Sequence, residues 1–155
     1  MAESTEKTTF QIIRGIQRKE KDEKRLHKLD SDFYRMVRDY YSARKATFDS
    51  DPHNTVVLYE IGNIKQIIKE IYQRRERKIV DFALNDSRSD SQCPEVSDMV
   101  PHEKKLYGAL IKILNEHRDQ YYVPLFNDDK LADPTPVPMG SLAPVPVEGN
   151  APPDG

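Results

Sequence analysis

The densest run of chemistry in this chain is IYQRRERKIVDFAL, Ile71 to Leu84, where Arg74, Arg75, Arg77 and Lys78 fall close together. Guanidinium groups can grip carboxylates or phosphates, because their planar fork makes two parallel hydrogen bonds to either. Turning each residue by about 100° around a helix, with Ile61 at zero, separates the four cations. Ile64, Ile68, Ile71, Tyr72, Ile79, Phe82 and Ala83 share one apolar seam, which Ile67 widens. Arg75, at about 320°, lands in the middle of that seam, and Lys78, at about 260°, sits on its margin. Arg74, at about 220°, and Arg77, at about 160°, lie off it. A guanidinium among isoleucines must meet a carboxylate or backbone carbonyls. Asp32 and Glu103, each expected in a first helical turn, are the candidate acids in this chain; a neighbouring subunit is the other source. The plainer alternative is that Arg75 snorkels outward and its stem covers the isoleucines.

Other reactive groups form no catalytic pattern. His27, His53, His102 and His117 have no His, Cys or acid partner at zinc-ligand spacing, and no metal or other cofactor is expected. His117 reads as a structural residue on a helical core face. Cys93 is the one cysteine, which excludes an internal disulfide framework, and its polar loop does not suggest a nucleophile. With six glycines in the chain, no glycine-rich phosphate loop occurs, and no hydrolase or dinucleotide motif is present.

Four helices suffice to position these residues, and the expected fold class is all-α. The first begins at Thr8 or Thr9 and carries Phe10, Ile12, Ile13 and Ile16 on one face. Its second half, QRKEKDEKR, is wholly polar and is expected to be solvated. Leu26 and Leu29 precede a capped start at Asp30-Ser31. Phe33, Met36, Val37, Tyr40 and Tyr41 then recur at helical spacing, fading by Thr47 before the turn FDSDPHN. The third helix spans about 55–85. Gly62 within it either admits a close helix crossing or is a tolerated weak point costing about 1 kcal/mol. NDSRSDSQCPEVSD reads as a mobile loop. The fourth helix opens at Pro101, with Ser97 or Asp98 as upstream caps. Its broad apolar face runs from Leu106 and Tyr107 through Leu110, Ile111, Ile113 and Leu114 to His117, with Arg118, Tyr121 and Tyr122 beyond.

Composition breaks at Pro124. Eight of the eleven prolines lie from there to Gly155, and five acids face one base, so this part is extended and acidic while residues 1–123 are slightly basic. The expected organisation is a helical domain over 1–123 and a disordered proline-rich linker or tail over 124–155. The whole chain has 155 residues and a formal net charge of -2, which argues against a globally basic nucleic-acid binder. No apolar run approaches the roughly 20 residues of a membrane helix, and MAESTEKTT lacks the apolar stretch of a secretory leader.

IYQRRERKIVDFAL, with LHKLDSDFY (Leu26–Tyr34) before it and HEKKLYGALIKILNEHRDQYY (His102–Tyr122) after it, resembles the helical domain of GINS-complex subunits. The archaeal type with the helical domain first is the nearest in pattern. The three segments stand in the family's order and cover most of residues 8–122. The resemblance implies a non-enzymatic replication scaffold in a tetramer with other GINS subunits. It further implies association with the MCM replicative helicase and a RecJ-like protein, indirect contact with DNA, and a cytoplasmic, nucleoid-associated location. The family's small β domain, which follows its linker, is not found after Pro124 here.

Eight tyrosines are more than a small helical core satisfies, so some should face a partner. Phe33, Tyr34, Tyr72, Arg74, Arg75, Lys78 and Arg118 are the candidate partner-binding or structural ion-pair residues, and the working state is expected to be oligomeric. Two other functions compete. An all-helical enzyme of the chorismate-mutase kind would use Arg74, Arg75, Lys78 and Arg118 to grip a dicarboxylate. A helical nucleic-acid-binding module would use the basic runs Arg14–Lys28 and Lys65–Lys78, although both contain acids.

Overall fold

The computed structural model describes the backbone of residues 2–127 and the side chains from residue 9 onward. The tail expectation for 128–155 lies outside the described residues. The fold is all-α: α1 (Ala2–Asp22), α2 (Phe33–Ser50), α3 (Thr55–Ser89) and α4 (Pro101–His117), with a 3-10 turn at Pro94–Asp98 and no strand among the described residues. By internal contacts the chain divides into two compact units, Met1–His117 and Arg118–Gly155. The composition break at Pro124 thus falls inside the second unit. There, Arg118–Tyr122 forms a π-helical turn and Val123–Phe126 a 3-10 turn, with the rings of Tyr122 and Phe126 edge to face at 5.4 Å.

Several helix ends differ from expectation. α1 starts at Ala2 rather than at Thr8 or Thr9, because nothing in AESTEKTT breaks a helix. Neither Asp30 nor Ser31 caps α2; Asp32 holds the cap position, and its side chain makes no capping bond. α2 runs past Thr47 to Ser50, where Thr47 Oγ1 and Ser50 Oγ bond back to the carbonyls of Ala43 and Ala46. Asn54 caps α3 by accepting from the Val57 amide at 3.2 Å. α3 continues beyond Asn85 to Ser89 and stops where Asp90 turns left-handed at φ 52°. NDSRSDSQCPEVSD is therefore not one loop: its first part is helix, and PEVSD is a 3-10 turn. α4 is capped neither by Ser97, whose hydroxyl bonds the Pro94 carbonyl, nor by Asp98. Instead Glu103 reaches back to the Val100 amide at 3.0 Å, half of a capping box.

α3, at 35 residues and about 52 Å, is the spine against which the other three helices pack. Its first half joins α1 and α2 in one apolar core built on Ile13, Phe33, Val37, Ile64, Ile67 and Ile71. Its second half joins α4 in another, built on Leu26, Ile79, Ala83, Met99 and Tyr107. Ile67 is fully within the core, because α3 is covered on several sides. Tyr72 leaves the seam and is half exposed, and Ile113 and His117 of α4 face outward. A Cβ at Gly62 would meet nothing within 4 Å, so Gly62 serves no close crossing and is a weak point in α3.

Candidate functional site

Arg75 lies one turn after Ile71 and one turn before Ile79, where the first apolar core gives way to the second. It is 1% exposed, the largest fully buried side chain among the described residues. Its fork meets Glu103 in bidentate fashion, Nε donating to Oε1 and Nη2 to Oε2, both at 2.7 Å. Nη1 donates to Glu20 Oε1 at 2.6 Å and to the His27 carbonyl at 2.5 Å. Nη2 also points at the Asp98 carbonyl at 3.5 Å. All five N–H donors of the guanidinium therefore have protein acceptors. Burial on its own would weaken the charged form of Arg75, but the carboxylates of Glu103 and Glu20 outweigh it and hold the guanidinium above its ordinary value.

Lys78, half-buried one turn along, joins the same cluster. Its Nζ donates to Glu20 Oε2 at 2.5 Å and to the Arg25 carbonyl at 2.9 Å. Glu20 Oε1 further accepts from the His27 amide at 3.1 Å. Two carboxylates thus face two cations, and the cluster is neutral. It ties α1 through Glu20, the α1–α2 connection through two carbonyls, and α4 through Glu103, all onto α3. Leu26 and Leu29, both buried, anchor that connection in the second and first apolar cores respectively. With its donors occupied and its charge balanced, the cluster acts as a latch between helices.

The structure sorts the residues singled out in the sequence. Arg75 and Lys78 are brought together. Glu103 is the acid expected for Arg75, but Asp32 is not: it stands exposed and pairs with Arg35 at 3.0 Å. Arg74 and Arg77 face solvent, and Arg118 belongs to the second unit, where it is half-buried. Phe33 is buried in the first core, with Tyr34 edge-on to it at 5.2 Å and to His102 at 5.2 Å. The Tyr34 hydroxyl is buried without a hydrogen-bond partner. Burial, and then the negative charge of Glu103, pushes its pKa up to about 12.

Glu20 was not among the expected partners, since the second half of α1 reads as solvated. It is 1% exposed. The signal was its spacing, one turn beyond Ile16 and two beyond Ile13 on the same face.

A second polar clamp also escapes the sequence. Asp86 Oδ2 accepts from the Tyr107 hydroxyl at 2.5 Å and from the Cys93 amide at 2.7 Å. Burial works to raise the Asp86 carboxyl, but these bonds hold it below the usual carboxylate range. Burial and Asp86 together push the Cys93 thiol up to about 11, so it stays protonated at neutral pH and is a poor nucleophile.

Among the described residues no cluster of His, Cys, Asp and Glu could hold a metal ion, and no helix is long and apolar enough to cross a membrane. In comparisons with protein-family models, curated proteins and solved structures, nothing matches this chain.

Proposed function

We propose that this chain is a non-enzymatic scaffold subunit of the GINS type, whose helical domain assembles with other GINS subunits and carries the MCM helicase and a RecJ-like protein at the replication fork. The observation that supports it best is the closed latch at Arg75. The most distinctive residues of IYQRRERKIVDFAL bind one another and the neighbouring helices, so their chemistry serves a stable helical platform. Tyr59 and Tyr72, by contrast, are 72% and 50% exposed, and aromatic rings on an outer surface suit a partner. A dicarboxylate grip of the chorismate-mutase kind is less well supported, because it needs guanidinium donors free to meet substrate, and those of Arg75 are taken. The basic runs favour a nucleic-acid module less, since Arg75 and Lys78 are drawn into the latch and leave fewer cations on the surface.

The test is native mass after co-expression with the other GINS-type subunit of the same genome, followed by capture on immobilised MCM helicase. The expected result is a heteromeric assembly that the helicase retains. A species of 18.0 kDa alone, with and without the second subunit, would overturn the reading.

A further inference from the structure

Between α2 and α3 the surface of the helical unit opens into a groove of about 580 Å³. Its floor is Val37, Ile64 and Ile68, and its walls are the rings of Tyr34, Tyr41 and Tyr72. Arg38, Lys65 and Lys69 complete the lining, all three exposed, and no acid lines it. Several other cations of α2 and α3 find carboxylates, Arg35 meeting Asp32, Arg44 meeting Glu60 and Lys78 meeting Glu20, while Arg74 and Arg77 face solvent away from this apolar groove. Arg38, Lys65 and Lys69 make no ion pair among the described residues, although Lys65 Nζ stands 5.6 Å from the centre of the Tyr41 ring. An apolar floor and an unanswered basic rim therefore coincide.

The spacing fixes the shape of what fits. Ile64, Ile68 and Tyr72 recur every fourth residue along α3, giving a trough of about 12 Å, or roughly two helical turns. A third helix laid along two packed ones fills such a trough with residues at i, i+3 or i+4, and i+7. We propose that this groove receives an amphipathic helix from a partner protein, with an apolar stripe flanked by Asp and Glu. The apolar stripe covers Ile64, Ile68 and Tyr72, and the flanking carboxylates meet Arg38, Lys65 and Lys69. A single nucleic-acid strand suits the groove less well. Its floor is aliphatic, and Tyr34 and Tyr41 are half-buried, so few ring faces are open for bases to stack on.

The proposal rests on the reading of the chain as an assembly module and adds the chemistry of one partner. Its test uses the full chain against a displayed library of helix-forming peptides of about 18 residues, or about five turns. Selection runs on the wild type, with counter-selection on Tyr72→Ala. Both Tyr72→Ala and the double variant Lys65→Glu/Lys69→Glu change exposed side chains, so each is expected to fold; circular dichroism checks this. The expected result is enrichment of peptides with apolar residues at helical spacing and net negative charge. Their affinity should fall about tenfold or more for each variant. A fluorescent oligo-dT strand serves as the competing probe and is expected not to bind. The proposal is overturned by no enrichment over counter-selection, by enriched peptides that are basic or aperiodic, or by oligo-dT binding that the same variants abolish. Failure of the peptide test beside a heteromeric GINS-type assembly that still forms removes this proposal while leaving the proposed function standing.

Discussion

Around Arg75, two cations and two carboxylates lie together out of water, every guanidinium donor matched. Two turns back along the same helix, Lys65 and Lys69 stand in water beside an apolar floor, and no acid lines the groove with them. The two regions share a helix and a residue chemistry but differ in what surrounds them. A charge that packing removes from solvent must find its counter-charge within the fold, and it then becomes part of what holds the fold. A charge left on the rim of an apolar groove contributes little to folding and is free to select a partner.

Breaking the latch should have the largest effect on stability. Glu20→Ala strands Arg75 and Lys78 without one of their carboxylates and leaves the His27 amide without its acceptor. A loss of about 3–5 kcal/mol in urea unfolding is expected. Glu20→Gln keeps the shape but not the charge, and should lose less. A groove variant such as Lys69→Ala should stay within about 0.5 kcal/mol of wild type, because its side chain is exposed and unpaired. A large loss there would erase the contrast.

The Asp86 clamp sharpens the comparison, because it is a polar fastening without a buried cation. Tyr107→Phe removes the hydroxyl bonded to the carboxylate and should cost about 1.5–3 kcal/mol. Its pH dependence has a definite sign. The Asp86 carboxyl is held low in the folded state, so the stability it adds is present in full above the ordinary carboxylate value of about 4. That stability is lost as pH falls through the depressed folded value. The difference between wild type and Asp86→Asn in chemical unfolding should therefore be flat from neutral pH down to about pH 5 and shrink below about pH 4. A difference that grows on acidification would contradict the assignment.

The smallest effect is a gain. Gly62→Ala places a methyl in open space within α3 and should raise stability by about 1 kcal/mol in thermal melts. A loss would mean that α3 needs freedom at this point.

Much of this contrast was legible in the residues. The apolar period of α3 put Arg75 among isoleucines and Arg77 away from them, because helical spacing alone decides which side chains share a face. Glu103 was legible as a first-turn acid. Glu20 was not, because its neighbours QRK and KDE are all polar, and local composition hides a single side chain that the packing of α1 on α3 draws inward. Asp32 misled for the converse reason: a helix start shows where an acid sits along the chain, not which way the next helix faces. Asp86 and Tyr107, 21 positions apart, meet only through the packing of α3 against α4, and no short-range pattern announces such a pair. The groove was foreshadowed only by the surplus of tyrosines, which says that some rings face outward but not which ones.

Position on α3, not residue type, makes Arg75 part of the fold and leaves its near neighbour Arg77 at the surface. Urea unfolding of Arg75→Ala and Arg77→Ala at neutral pH, side by side with wild type, tests it most directly. Arg75→Ala should lose about 3–5 kcal/mol or fail to fold, while Arg77→Ala should stay within about 0.5 kcal/mol of wild type. Arg75→Lys, which keeps the charge but not the fork, should recover only part of the loss. Small and equal effects of the two alanine variants, or full recovery with lysine, would contradict the claim.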